Sequence, residues 1–355
     1  MRIVRVTSFY GPVSSTQSTV IRELGMGYLR AGHEFVVISP GATYSRTVTS
    51  AGTVITLPLG DFTAVRAPAR SDGERVRSTL VATVVAIGEL LDQLHPDRLE
   101  VADRLTLRAL GDWANAHGVP SIAVLDELPA PWVLRSGATD GYQNVVVSTE
   151  RARVDAAALA PTRVIRVPNG VDLEVFNPLR WSGDVATQLR DGAEVLFVLA
   201  AGPDSPGDSG AVTTAMRNLL RRSVDAQLVV LDAEMTEHDR AIVLASADVF
   251  IAIGSPQTIV LDALEALASG TPVIAPADSA VMELLSGDAG LGTEQGAAAL
   301  TNALSEMLTV RIEDRRTAAR LAAAEFPWSQ TVDDMLDLHH SADAAPVAEW
   351  ALPIA

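Results

Sequence analysis

Cysteine is absent from this 355-residue chain, and so is lysine. The first absence removes disulfide bonds, thiolate metal sites and a cysteine nucleophile together, and it suits a reducing compartment. The second makes every one of the 27 basic residues an arginine. Long apolar runs are missing as well. The stretch near residues 80–91 is interrupted by Thr83, Gly88 and Glu89, too short and too broken to span a bilayer, and it reads as a buried helix. No signal-peptide core precedes the strand pattern that starts at Arg2. The expected setting is therefore the cytoplasm, with any membrane association peripheral, at the inner face and through a partner.

The chain is long enough for two cores of ordinary size. With 48% hydrophobic and 20% charged residues its composition is globular. Charge divides it unevenly. Residues 1–167 carry 17 arginines and 16 acids, whereas residues 168–355 carry 10 arginines and 28 acids. An acidic half repels nucleic acid and anionic lipid, and no basic, aromatic-rich patch offsets it, so nucleic-acid binding is not expected.

The first half alternates strand and helix patterns. Strands are expected near residues 2–7, 35–39, 54–57, 99–101, 122–125, 145–148 and 164–167, with helices at 18–31, 75–94 and 105–117 between them. A turn cluster, Pro168-Asn169-Gly170-Val171-Asp172, separates this from a second series. There the strands are 194–200, 226–231, 249–253 and 272–275, and the helices include 212–222, 237–245, 259–268 and 297–308. Such alternation implies right-handed crossovers and parallel, doubly wound sheets. The fold class is α/β with two Rossmann-like domains, 1–167 and 168–328, and ligand is expected in a cleft between them at the carboxyl ends of the strands. A helix at 329–340 is expected to pack back on the first domain, followed by a loose tail at 341–355.

Four stretches go further. Residues 163–178 read RVIRVPNGVDLEVFNP, and residues 261–274 read LDALEALASGTPVI. These resemble the interdomain signature and the donor-site helix of family 4 glycosyltransferases of the GT-B fold. Residues 97–107, DRLEVADRLTL, and 325–329, EFPWS, are similar to a subgroup of GDP-mannose-dependent mannosyltransferases that build actinobacterial mannolipids. The resemblance runs in order from Met1 to about His340. It implies retaining transfer of a sugar from a nucleotide diphosphate, usually without a metal, in which cationic and backbone donors stabilise the departing diphosphate.

Position by position, the donor site departs from that pattern. Ser15 and Thr16 stand where the resemblance places a phosphate-binding glycine pair; both suit a helix cap. Pro203 replaces the expected arginine and Asp208 the expected lysine of the diphosphate clamp, which reverses the sign of the interaction at Asp208. The first of two paired glutamates is Gln257, which carries no charge. The second is retained as Glu265, suited to accepting hydrogen bonds from ribose hydroxyls, although a partly exposed or capped carboxylate is the plain structural alternative. Between them, in a donor segment that includes Thr258 and Leu261, Val260 replaces a glycine, and its branched side chain is expected to crowd the phosphate. Asp126, followed by Glu127, lies where a histidine is expected near the reacting sugar; a proton-accepting role is open to it, but a turn or cap role is favoured. Residues 232–237 bridge a gap where the family has a further strand and loop facing the base. The histidines show no ligand spacing: His33 lies in a turn, and His339 and His340 are neighbours that point apart on a helix. No metal or other cofactor is expected.

Three readings follow. The favoured one is a mannosyltransferase homologue with lost or strongly impaired catalysis, acting as a partner or regulator of an active glycosyltransferase or another protein. The alternative is a working retaining transferase using GDP-mannose and a lipid or glycan acceptor, which binds nucleotide sugar only if the donor site is rearranged. That rearrangement would bring arginines such as Arg217 or Arg221 to the diphosphate. The third is a sugar- or lipid-binding module confined to the first domain. Fold alone decides among none of them.

Overall fold

A computed structural model describes residues 1–7, 16–58, 73–102, 106–125, 134–160, 162–199, 206–232, 235–253 and 259–342. For 16–17, 73–81, 206–209 and 259 it describes the backbone alone. These residues divide into two compact units. Of the described residues, one unit takes those up to Pro168 other than Thr16, together with those from Val332 on, and the other takes Asn169–Thr331 together with Thr16.

The first unit is built on an eight-stranded sheet. Its strands are β1 (Arg2–Val6), β2 (Glu34–Gly41), β3 (Ser45–Thr49), β4 (Gly52–Pro58), β5 (Arg98–Val101), β6 (Ser121–Val124), β7 (Asn144–Val147) and β8 (Val164–Arg166), in the spatial order β3-β4-β2-β1-β5-β6-β7-β8. All pairings are parallel except the β3–β4 hairpin at the edge. Its helices are α1 (Thr16–Arg30), α2 (Gly73–Leu94), α3 (Leu107–His117) and α4 (Glu150–Ala157). Alternate residues Val4, Val6, Val36, Ile38, Leu99 and Val101 meet Ile87 and Leu91 of α2 and Leu107 and Leu110 of α3 in one core. α3 stops at Gly118, whose φ of 64° lets its N–H turn back to the carbonyls of Ala114 and Asn115, a left-handed cap that other residues adopt only at a cost.

The second unit contains α5 (Gly183–Arg190), β9 (Val195–Leu199), α6 (Pro206–Arg221), β10 (Ala226–Val230), α7 (Glu237–Ser246), β11 (Val249–Ile251), α8 (Ile259–Ala268), β12 (Val273–Pro276), β13 (Gly290–Thr293), α9 (Ala297–Met307) and α10 (Ile312–Ala323). Its five strands are all parallel in the order β10-β9-β11-β12-β13. Within β9 the alternation is clean: Leu196 and Val198 pack with α7, α8 and α10, whereas Phe197 packs with α6 and α9 on the other face. The sheet is thus doubly wound, with its order reversing between β9 and β11, the place where open α/β sheets hold ligands beyond the carboxyl ends of their strands.

The last helix, α11 (Trp328–Ser341), leaves the second unit at Thr331 and continues in the first. There it lies so close to α1 that a Cβ on Gly27 would sit 2.3 Å from Val332 Cγ2. Arg98 of β5 donates to the carbonyl of His339 at 2.7 Å and so satisfies one of the open carbonyls of the helix end.

Candidate functional site

Glu265 belongs to α8, the helix that follows β11 at the reversal point of the second sheet. An apolar stripe of Val260, Leu261, Ala263, Leu264, Ala266 and Leu267 seats this helix in the core. Val260 is among the buried core residues of this unit. Its branched side chain packs into that core. Leu261 is buried as well.

Asp262 and Glu265 stand one turn apart on α8, a spacing that puts two carboxylates side by side. Both are engaged by Arg240, the fourth residue of α7. Arg240 Nε donates to Glu265 and Nη2 to Asp262. The Glu265 side chain retains 7% exposure, that of Arg240 17% and that of Asp262 22%, so Glu265 is buried beneath two half-buried partners. Glu265 is consequently neither partly exposed nor a cap; it is a buried, ion-paired carboxylate.

The start of α7 explains why an arginine needs such partners there. Thr236 caps the helix, its hydroxyl accepting from the Asp239 N–H at 3.1 Å, and Glu237 and Asp239 suit the positive end of the helix dipole. A guanidinium in the same first turn opposes that dipole. Two carboxylates compensate, and they also oppose each other. One cation shared by two anions leaves a buried negative excess. Burial pushes the Glu265 carboxyl up to about 7, with Asp262 and Glu237 adding to the rise and Arg240 opposing it. Burial also raises Asp262 against the pull of Arg240. Burial would lower Arg240, but the two carboxylates outweigh it and hold the guanidinium above its ordinary range.

Of the other positions singled out in the sequence, Ser15, Asp126, Glu127, Pro203, Gln257 and Thr258 lie outside the described residues. Thr16 opens α1 and Asp208 lies in the first turn of α6, both with side chains outside the described set. The described residues therefore bring together Val260, Leu261 and Glu265 on α8, and join to Glu265 two residues that sequence reasoning missed, Arg240 and Asp262. Arg217 and Arg221 are placed otherwise than a rearranged clamp requires. At 1.5 Å per residue they stand roughly 16 and 22 Å along α6 from its N-terminal end, where a phosphate after β9 would sit. Arg221 donates to Asn218 at 3.2 Å.

The first unit holds a second buried charge cluster. Glu100 of β5 accepts from Arg5 Nη1 at 3.0 Å, from the Tyr28 hydroxyl at 2.8 Å and from His339 Nε2 at 2.8 Å, and all four residues are fully buried. Burial alone would raise the Glu100 carboxyl, yet the His339 hydrogen bond, Arg5 and Tyr28 together hold it down at about 2. His340, the next residue, turns instead to the ring of His33, 5.9 Å away between centroids. Among the described residues no group of three or more His, Cys, Asp or Glu side chains could hold a metal ion, and no helix is long and apolar enough to cross a membrane.

No family model matches the chain. It is 32% identical over 373 residues to the GDP-mannose-dependent alpha-(1-6)-phosphatidylinositol dimannoside mannosyltransferase of Mycobacterium tuberculosis, covering 95% of each protein. It is 30% identical over 266 residues to the D-inositol 3-phosphate glycosyltransferase of Kineococcus radiotolerans, covering 59% of this chain and 60% of that one. Among solved structures, sucrose-phosphate synthase from Thermosynechococcus elongatus superposes with a TM-score of 0.77 at 17% identity, covering 96% of this chain and 98% of the other, a likeness of fold. Two parallel α/β units of this kind, and a relative this similar along nearly the whole chain, make the protein a member of the family-4-like GT-B glycosyltransferases, related to the GDP-mannose-dependent mannosyltransferases.

Proposed function

We propose that this member of the family has lost, or nearly lost, sugar transfer and acts as a non-catalytic partner or regulator in mannolipid synthesis. The observation that carries the reading is the state of Glu265. The one acidic donor residue that the chain keeps is buried and ion-paired to Arg240, leaving little of its carboxylate for ribose hydroxyls. The substitutions at Ser15, Thr16, Pro203, Asp208 and Gln257 weigh the same way. Removing a single cationic or hydrogen-bonding stabiliser from such a site commonly costs a few kcal/mol, about a hundredfold or more in rate. An acidic second half adds long-range repulsion of an anionic donor. The protein partner in this reading is an active glycosyltransferase, which would hold the chain at the cytoplasmic face of the membrane.

Near-full-length identity to a mannosyltransferase supports a second reading, an active retaining enzyme that moves mannose from GDP-mannose to a lipid or glycan acceptor. Calorimetric titration of the purified protein with GDP, GDP-mannose and UDP-glucose at low salt separates the two. The non-catalytic reading expects no heat of binding at about millimolar nucleotide, a Kd weaker than about 1 mM. Micromolar binding of any of the three refutes it and opens an acceptor screen.

A further inference from the structure

We propose that Arg240 is an internal plug: its guanidinium occupies the carboxylates of α8 in the place of a hydroxyl-bearing ligand, so that the second unit is self-occupied at its ligand crevice. The inference rests on the reading above that the wild-type donor site is closed, and it names the contact that closes it.

Three observations converge. The position is right: α8 follows β11, α7 follows β10, and both begin at the carboxyl end of a sheet whose order reverses between β9 and β11. Open parallel sheets bind their ligands there. The chemistry is right as well. An ionised carboxylate only accepts hydrogen bonds, so at such a crevice it serves a ligand through hydroxyl or amine donors. Arg240 supplies two such donors from within the chain, one to each of two carboxylates. Finally, the arginine is out of place by every local criterion. It stands in the first turn of α7, where the helix dipole disfavours a cation and where Thr236, Glu237 and Asp239 already supply the cap and the negative charge. Nothing in the helix itself calls for it, and its hydrogen bonds run across to Asp262 and Glu265.

A plug of this kind predicts that the carboxylate recovers ligand binding when the arginine is withdrawn. Removing Arg240 alone leaves two neighbouring carboxylates without their shared cation, so Arg240→Met is paired with Asp262→Leu. The double variant removes one cation and one anion together and frees Glu265. Titration with GDP and with UDP is expected to show binding at least about tenfold tighter than wild type for one of them. Adding Glu265→Gln is expected to abolish the gain. Thermal unfolding monitored by circular dichroism establishes that each variant is folded, and Arg240→Leu with Asp262→Ala replaces the first pair if that one is not.

A folded variant with freed Glu265 that binds neither nucleotide more tightly than wild type overturns the plug; so does a gain that survives Glu265→Gln. These outcomes leave the non-catalytic reading standing when the wild type is silent. Micromolar binding by the wild type overturns that reading, and it overturns the plug too, since a plugged site cannot bind with Arg240 in place.

Discussion

Replacing Glu100 with alanine is the substitution whose cost can be worked most directly from the structure. The carboxylate is fully buried and accepts from Arg5, Tyr28 and His339. Without it the Arg5 guanidinium loses this counter-ion inside the core, and two further donors lose their acceptor. Breaking a buried ion pair from one side costs about 3–5 kcal/mol. The carboxyl itself gives a second measure. It is drawn from an ordinary value of 4.5 to about 2, which corresponds to about 3 kcal/mol of preference for the ionised, folded form. Both are of the same order. For a unit of this size each kcal/mol displaces the transition by about 2–4 °C, so Glu100→Ala is expected to lower the melting of the first unit by about 10 °C. Scanning calorimetry measures this. A group depressed in the fold stabilises above its unfolded value, so the wild-type advantage is full above pH 4.5 and is lost as pH falls toward 2. The double variant Arg5→Met/Glu100→Leu, which removes both charges, is expected to lose less than the single one. A single-variant loss under about 1 kcal/mol, or a double variant worse than the single, would refute the reasoning.

Two further predictions concern the same packing logic. Glu265 is raised in the fold, so its contribution to stability is full below about pH 4.5 and is lost as pH rises through about 7; Glu265→Gln is expected to flatten the decline in melting temperature between those values, and an unchanged profile counts against the buried negative excess. Gly27→Ala places a methyl 2.3 Å and 2.7 Å from the two Cγ atoms of Val332, an overpacking that costs about 1–3 kcal/mol in a urea melt. Adding Val332→Ala is expected to recover most of that loss, and failure to do so would show that the strain lies elsewhere.

The alternation of apolar strands and amphipathic helices made the α/β class legible, since a residue pattern of period two or 3.6 reports which face is buried. The helix expected at 259–268 and the helix found at Ile259–Ala268 coincide because six apolar residues mark its inner face. β13 has no such mark: Gly290-Leu291-Gly292-Thr293 offers one large apolar side chain, and the strand exists because β12 lies beside it. β3 is likewise short and polar and forms as the return arm of a hairpin with β4. In α10 the buried positions are largely alanine, which blurs the stripe. The site was harder to read than the fold. Glu265 could be singled out by motif, but Arg240 lies 25 residues away, and a salt bridge between two helices leaves no local periodic trace. The available signal was an arginine set in a first turn that otherwise favours acids. His339 illustrates the same limit: a histidine beside another near a helix end gives no sign that one ring is fully buried against a carboxylate on a central strand.

The path of α11 has a consequence for how the protein is made. A ribosome completes β1 and β5 early, but Glu100 lacks His339, and Gly27 lacks Val332, until α11 has emerged. Asn169–Thr331, by contrast, is a continuous stretch that holds its own sheet and helices. Domains generally fold as units in the order of synthesis, yet here the unit begun first is finished last. Its half-built core, with Arg5 and Glu100 on neighbouring strands, must wait for α11.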